Sequence, residues 1–198
     1  MGRTAKYTDQ DILDAALGLV AEDGAHAATV VAIAKRLGAP SGSIYHRFVS
    51  RDLILATLWI RTVKRFQQGF LEALLHEESD TAARLAVTHT LQWSAAHRSE
   101  AKMLTMYRRE DLIALWPDEL GGELATLNDE VKRSVIAFTA AHFGQATAET
   151  LGRTRFALIE IPYAAVGHII GSAQPPSWLE HTVATASLAV LARQEPVR

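Results

Sequence analysis

A short segment near the amino terminus carries several side chains that can donate hydrogen bonds to an anion. Within seven residues the chain places two serine hydroxyls, a tyrosine hydroxyl, an imidazole and a guanidinium, from Ser41, Ser43, Tyr45, His46 and Arg47. No acidic residue occurs between positions 24 and 51, so nothing in this stretch would repel a phosphate. Proteins direct hydroxyl and guanidinium donors at phosphate oxygens, and the segment therefore indicates a phosphate-binding surface.

The residues around these donors have the spacing of a helix-turn-helix. Ala34 is small where two helices would cross closely, and Gly38 can adopt the left-handed conformation of a tight turn. Ile44 can reach the same core from the second helix, and Thr29 is suited to cap the first. Any pair of helices joined by a glycine turn would show a similar spacing. The donors on the second helix favour nucleic-acid binding over that simpler interpretation.

The elements that must hold this segment are helical throughout. Apolar residues recur at helical spacing from Ile12 to Val20 and from Val30 to Leu37, and a third short pattern runs from Ser41 to about Arg47. A long pattern follows from Ser50 to about Glu78, and further ones cover about 79–97, 99–114, 122–143, 147–172 and 177–193. We predict an all-α chain of about nine helices. A three-helix head would occupy residues 1–51, and a larger helical domain residues 52–198.

Composition narrows the classes of protein that the chain could represent. Its 198 residues include 20 basic and 22 acidic ones and no cysteine, which excludes disulfides and cysteine-bound metals. Charge is unevenly placed, because residues 9–23 hold five acids and no base. We see no secretory signal and no apolar run of 18 residues, so we expect a cytoplasmic protein without a membrane partner.

The motifs resemble the amino-terminal domain of the TetR family of bacterial repressors. The resemblance lies in Thr29, the turn at residues 33–38, the helix at residues 41–48 and the Ser-Arg-Asp-Leu that comes after it, and it covers residues 9 to about 58. It implies a homodimer that binds a pseudo-palindromic operator in double-stranded DNA. The DNA-binding residues that the resemblance and the donor chemistry together indicate are Thr29, Ser41, Gly42, Ser43, Tyr45, His46, Arg47, Arg51 and Lys6.

The first residues of the second helix are apolar, which limits how the head could read bases. Val30, Val31 and Ala32 stand where some relatives place a polar or basic residue. We therefore expect few direct base contacts. Backbone N–H groups, contacts to thymine methyl groups and the shape of the DNA would supply part of the specificity.

The larger domain shows no catalytic motif, so we expect neither an enzyme nor a cofactor or metal site. Its middle helices carry bulky apolar side chains that suit either an ordinary core or a cavity for a small, mostly apolar effector. The family resemblance favours the cavity and implies that its ligand releases the DNA. The candidate pocket residues are His89, Trp93, Met103, Met106, Tyr107, Trp116, Phe138, Phe156, Ile159 and Tyr163.

The last two helices carry small and apolar residues at helical spacing. These residues are Ala164, Gly167 and Gly171 on one helix and Ala184, Leu188 and Leu191 on the other. The family resemblance implies that they form a two-fold dimer interface of four helices, and packing within one chain is the alternative. Pro162 should kink its helix or interrupt the hydrogen bonds of that helix.

Two other functions stay open at this point. The chain could be a small-molecule-binding helical protein that retains the head as a relic. It could also be a constitutive DNA-binding dimer without an effector. The sequence leaves the effector, the operator and the regulated genes undefined.

Overall fold

The computed structural model of the chain describes residues 7–115 and 119–192. Within these ranges every regular element is a helix and no strand occurs, which confirms the prediction of an all-α fold. The α-helices are α1 Asp9–Asp23, α2 Val30–Leu37, α3 Ser41–Tyr45, α4 Arg51–Leu74, α5 Ser79–Ala96, α6 Arg98–Leu104, α7 Arg109–Leu115, α8 Gly121–Thr126, α9 Asp129–Phe143, α10 Ala148–Arg155, α11 Ile161–Gly171 and α12 Leu179–Leu191. A 3-10 turn at Ala25–Ala27 and a π turn at Phe156–Glu160 complete the regular structure of these residues.

Three of the predicted long helices are divided in the structure. The pattern at 99–114 becomes parts of α6 and α7, the pattern at 122–143 becomes α8 and α9, and the pattern at 147–172 becomes α10, the π turn and α11. Between α8 and α9 the side-chain amide of Gln67 donates a hydrogen bond of 2.8 Å to Oδ1 of Asn128, the residue that precedes α9. A contact with a residue 61 positions away thus stabilises this helix boundary. Local periodicity of the sequence does not reveal such a contact.

The chain forms two compact units. The first contains the described residues up to Val63 together with Lys102–Thr126, and the second contains Lys64–Ala101 together with the described residues from Leu127 onward. The first unit therefore holds α1–α3, the first half of α4, and α7 and α8. The functional boundary at residue 51 stays a prediction.

Helices α1, α2 and α3 pack around apolar side chains in the first unit. Ile12, Ile33 and Ile44 are fully buried, one from each helix. The hydroxyl of Thr29 caps α2 by accepting a hydrogen bond of 3.1 Å from a backbone N–H three residues later. Gly38 follows α2 with φ of 63° and ψ of 33°, a left-handed conformation. Each of these features was expected from the spacing of the residues.

The left-handed turn makes Gly38 sensitive to substitution. A side chain at such a φ costs about 1–2 kcal/mol, so Gly38→Ala should lower the free energy of unfolding by about that amount in urea denaturation. Gly42→Ala is the matched control, because a Cβ there meets no atom within 4 Å and its φ is not positive. An equal loss of stability in both variants would contradict the strain argument.

The second unit is built around α5, α11 and α12. These three helices pack against one another, α9 and α10 pack beside them, and α9 also contacts α5. The core includes Val87 and Leu91 of α5, Phe138 of α9, Ile169 of α11 and Leu191 of α12. Every one of these side chains is at least nine-tenths buried. An apolar interior thus holds the helices of this unit together.

A wide helical turn precedes Pro162. Within Phe156–Glu160 the hydrogen bonds skip one residue more than in an α-helix, and the N–H of Ile161 donates to the carbonyl of Phe156. Pro162 has no N–H, so the carbonyl of Leu158 loses its usual α-helical donor. The interruption expected at the proline therefore takes the form of a π turn that lies just before it.

Candidate nucleic-acid interface

The outer face of α2 and α3 carries hydroxyl groups. Thr29 and Ser43 are exposed, Ser41 is partly exposed and Tyr45 is 54% exposed, while Gly42 adds bare backbone. In the described part of the chain no group accepts a hydrogen bond from the hydroxyls of Ser43 and Tyr45. The Thr29 hydroxyl is used only as an acceptor by its cap and keeps its own hydrogen to donate. Several donors therefore face outward together.

The burial of Ile44 explains why its neighbours face outward. Ile44 enters the core completely, which turns Ser43 and Tyr45 away from it, and His46 is exposed after them. Val31 near the start of α2 is also exposed, at 67%. An exposed valine beside hydroxyl donors is compatible with the expected contacts to thymine methyl groups.

Arg47 is held by a carboxylate of the same unit. Its guanidinium forms an ion pair with the carboxylate of Asp9 in the first turn of α1. The pKa of Asp11 is lowered, mainly by hydrogen bonds from the backbone and the hydroxyl of Thr8 and to a smaller extent by the charge of Arg47. The assignment of Arg47 to the DNA stays a prediction, and this partner is a feature that the sequence did not reveal.

Arg51 is also engaged within the first unit. Its guanidinium donates a hydrogen bond to the carbonyl of Ala25 and lies 2.7 Å from the carboxylate of Asp52. The hydroxyl of Tyr7 donates a hydrogen bond of 3.0 Å to the carbonyl of Gly38. Lys6 lies outside the described residues. The assignments of Arg51 and Lys6 to the DNA stay predictions.

The residues predicted to line an effector pocket are divided between the two units. Met103, Met106 and Tyr107 belong to the first, and the other described ones belong to the second. Met103 is fully buried and Met106 is half-buried. Tyr107 is half-buried as well, and this burial is the main cause that raises the pKa of its hydroxyl. Trp116 lies outside the described residues.

Three predicted pocket residues lie inside the second unit. The rings of Trp93 and His89 each lie 5.3 Å from the ring of Phe66. Nε2 of His89 is 2.9 Å from the carbonyl oxygen of Phe66, and it must carry a proton because a carbonyl can only accept. Phe138 is buried with its ring parallel to that of His142, 5.6 Å away. These contacts place the three residues in the interior of this unit.

The remaining predicted pocket residues are largely exposed. Phe156, Ile159 and Tyr163 expose 48%, 39% and 58% of their surface. They lie on the outer side of the π turn and at the start of α11, whereas Ala157 and Leu158 face the core. The structure therefore does not bring them into one interior with Trp93 and Phe138. Their role in ligand binding stays a prediction.

The predicted dimer residues also fall into two groups. Ala164, Gly167 and Gly171 are exposed on one side of α11. Ala184 and Leu191 of α12 are buried in the core of the second unit, and Leu188 is partly buried. Besides Glu180 and His181 in its first turn, α12 exposes small residues on one face, namely Thr182, Thr185, Ala186 and Ala189. A face of small residues thus remains on both helices, although the residues of α12 differ from those predicted.

A cavity of about 490 Å³ opens where α5 begins and where α9 and α12 end. Nδ1 of His142 lies 2.9 Å from Oγ of Ser79, and its Nε2 lies 3.0 Å from the carbonyl oxygen of Leu191. The ends of three helices that are distant in sequence form this cavity, so no local signal predicts it. None of the predicted pocket residues lines it. Its lining residues are Glu78, Ser79, Asp80, Arg84, His142, Leu188 and Ala192.

The described residues offer neither a membrane span nor a metal site. No helix among them combines the length and the apolar character that crossing a bilayer requires. They also contain no group of three or more histidine and acidic side chains that could hold a metal ion.

The helix-turn-helix has the fold of a DNA-binding domain, and a family match over the same residues supports a DNA-binding transcriptional regulator. Residues 12–58 match the model of the bacterial regulatory proteins of the tetR family, and this range contains α2, α3 and the start of α4. Over these residues the chain is similar to the TetR family. No match was found among curated protein sequences.

Solved structures share the fold along almost the whole chain. A transcriptional regulator from Rhodococcus sp. Rha1 is 21% identical, with a TM-score of 0.66 over 93% of this chain and 96% of that one. The fatty acid degradation regulator FadR from Bacillus halodurans is 18% identical, with a TM-score of 0.64 over 95% and 100%. The ketosteroid transcriptional regulator KstR2 of Mycobacterium tuberculosis is 15% identical, with a TM-score of 0.66 over 95% of both chains. At these identities the similarity shows the fold.

Proposed function

We propose that this protein is a homodimeric repressor that binds a pseudo-palindromic DNA operator and releases it when a small, mostly apolar molecule binds. The outward hydroxyl donors of α2 and α3 carry this proposal. Ile44 anchors them and the turn at Gly38 sets the angle between the two helices. Thr29, Ser43 and Tyr45 would donate to phosphates on the two sides of a major groove that receives α3.

The exposed small residues of α11 and α12 support the dimer. Small side chains let helices of two chains approach closely, and an exposed face of this kind gains stability when a second copy covers it. Two heads related by a two-fold axis would read half-sites about 34–36 Å apart on the same side of the duplex. A palindromic operator follows from that symmetry.

The nature of the effector is proposed from the apolar side chains of the middle helices. Two of the solved structures with this fold are named as regulators of fatty acid degradation and of ketosteroid transcription, which suits an apolar effector here too. A ligand that favours the conformation with poor operator spacing by about 1–3 kcal/mol would lower DNA affinity about 5- to 150-fold. The protein would thus act by binding, without chemistry on the ligand, in the cytoplasm where its DNA lies.

Duplex binding tests the proposal directly. Selection from a random double-stranded library should enrich a palindrome, and its affinity should fall with a steep log–log slope as salt rises, since phosphate contacts release counterions. Tyr45→Ala should weaken binding more than tenfold, because a hydrogen bond to a charged group contributes about 1.5–3 kcal/mol and the proposed dimer makes one in each subunit. Fluorescence anisotropy with the selected duplex measures both effects.

Two comparisons isolate the Tyr45 hydroxyl. Tyr45→Phe keeps the ring and should reproduce most of the loss, whereas Leu85→Ala changes an exposed apolar residue of α5 and should leave affinity unchanged. A library from which no duplex is enriched, even in dilute salt, would refute the proposed function.

A further inference from the structure

The acidic stretch at residues 9–23 has internal partners in the first unit. Three of its carboxylates form ion pairs with arginines outside α1, namely Asp9 with Arg47, Glu22 with Arg36 and Asp14 with Arg61. The acids of α1 therefore neutralise arginines that would be assigned to DNA contacts if only their residue type were considered. Of these three arginines, Arg47 is the nearest to α3 along the chain.

Helix α3 depends on few contacts for its direction. It has five residues, and Ile44 is its one buried side chain. One apolar anchor fixes where such a short helix sits but resists rotation about that anchor weakly. Arg47 follows two residues after α3 ends, and its N–H donates to the carbonyl of Ile44 at 3.0 Å. Its ion pair with Asp9 gives the carboxyl end of α3 a second attachment, to the start of α1.

We propose that Arg47 is a positioning residue, which together with Asp9 holds α3 at the angle that DNA requires and does not itself contact phosphate. The inference rests on the proposed function. Asp9 is well placed for this role, because a carboxylate in the first turn of a helix is stabilised by the helix dipole while it also binds the guanidinium. The phosphate contacts are left to Thr29, Ser43 and Tyr45.

For Asp9→Asn the proposal predicts a change in DNA affinity opposite in direction to the one that net charge alone predicts. Asp9→Asn makes the protein more positive by one charge in each subunit, and an arginine released toward a phosphate should then strengthen DNA binding. If the pair positions α3, the same change must weaken binding, because the free energy of aligning the helix is added to that of the complex. Arg47→Gln should weaken binding by the same factor.

A double-mutant cycle tests the inference. The affinity for the duplex selected with the wild-type protein is measured for each variant over a series of salt concentrations. Asp9→Asn, Arg47→Gln and the double variant should each bind about 3- to 10-fold more weakly, as expected for an ion pair of modest strength present in two heads. The three losses should be equal, the salt slope should match the wild type, and Asp9→Glu should restore binding. Circular dichroism of each variant checks that the helices remain folded.

Two results would contradict a positioning role for Arg47. A salt slope that falls by about 0.9 per subunit in Arg47→Gln, or tighter binding by Asp9→Asn, would show a direct phosphate contact and overturn the inference. Lys35→Gln is the charge control, since Lys35 is an exposed cation of α2 whose loss should not cancel the effect of Asp9→Asn. Wild-type protein that binds no duplex would refute the proposed function itself.

Discussion

Replacing Ile44 with alanine should lower the free energy of unfolding of the first unit by about 2–5 kcal/mol and abolish measurable DNA binding. Ile44 is fully buried, and a cavity of this kind in a packed core has a cost in that range. It is also the one buried side chain of α3, so the helix that carries Ser43 and Tyr45 would lose the contact that packs it against the core. Urea denaturation measures the first effect and anisotropy with the selected duplex measures the second.

A valine just beyond α3 provides the control for Ile44→Ala. Val49 is 68% exposed, so Val49→Ala should change the free energy of unfolding by less than about 0.5 kcal/mol. The argument about Ile44 fails if its alanine variant loses less than about 1 kcal/mol or binds the duplex as the wild type does.

The head shows how far local spacing can predict structure. The roles of Thr29, Gly38 and Ile44 follow from neighbours within two helical turns, and the structure has each of them as expected. The partners of Arg47 and Arg51 are 38 and 26 residues away and come close only when the helices pack. Donor types in a sequence therefore indicate which chemistry is possible, whereas packing decides which donors stay free.

Gly167→Glu should convert the proposed dimer into monomers by raising its dissociation constant at least about 100-fold. A glutamate at this position would be buried without a partner between two-fold related helices, and about 3 kcal/mol of lost interaction gives that factor. The single chain should tolerate the change, because Gly167 is exposed and a Cβ there meets no atom within 4 Å. Sedimentation velocity over a concentration series measures the constant.

An exposed alanine on another helix serves as the comparison. Ala140→Glu adds the same charge to the outer side of α9 and should leave the oligomeric state unchanged. If Gly167→Glu stays dimeric at the wild-type constant, the exposed face of α11 is not the interface.

The second unit was harder to predict, for a physical reason. The sequence of α11 is apolar or small at nearly every position, so its periodicity does not say which side faces inward. Packing buries Ile169 and leaves Gly167 exposed, and it likewise places Ala184 inside. An exposed aromatic such as Tyr163 and a buried one such as Phe138 look alike until the neighbouring helices are in place.

The π turn at Phe156–Glu160 holds one residue more than an α-helical turn would. Every residue added to a helix rotates the later part of that helix by about 100° around the axis, so the extra one sets the angular phase of all of α11. In the present phase Ile169 points to the core and Gly167 to solvent. Deleting one residue upstream would rotate α11 by about 100°, which would carry Gly167 toward the core and Ile169 toward solvent without altering either side chain.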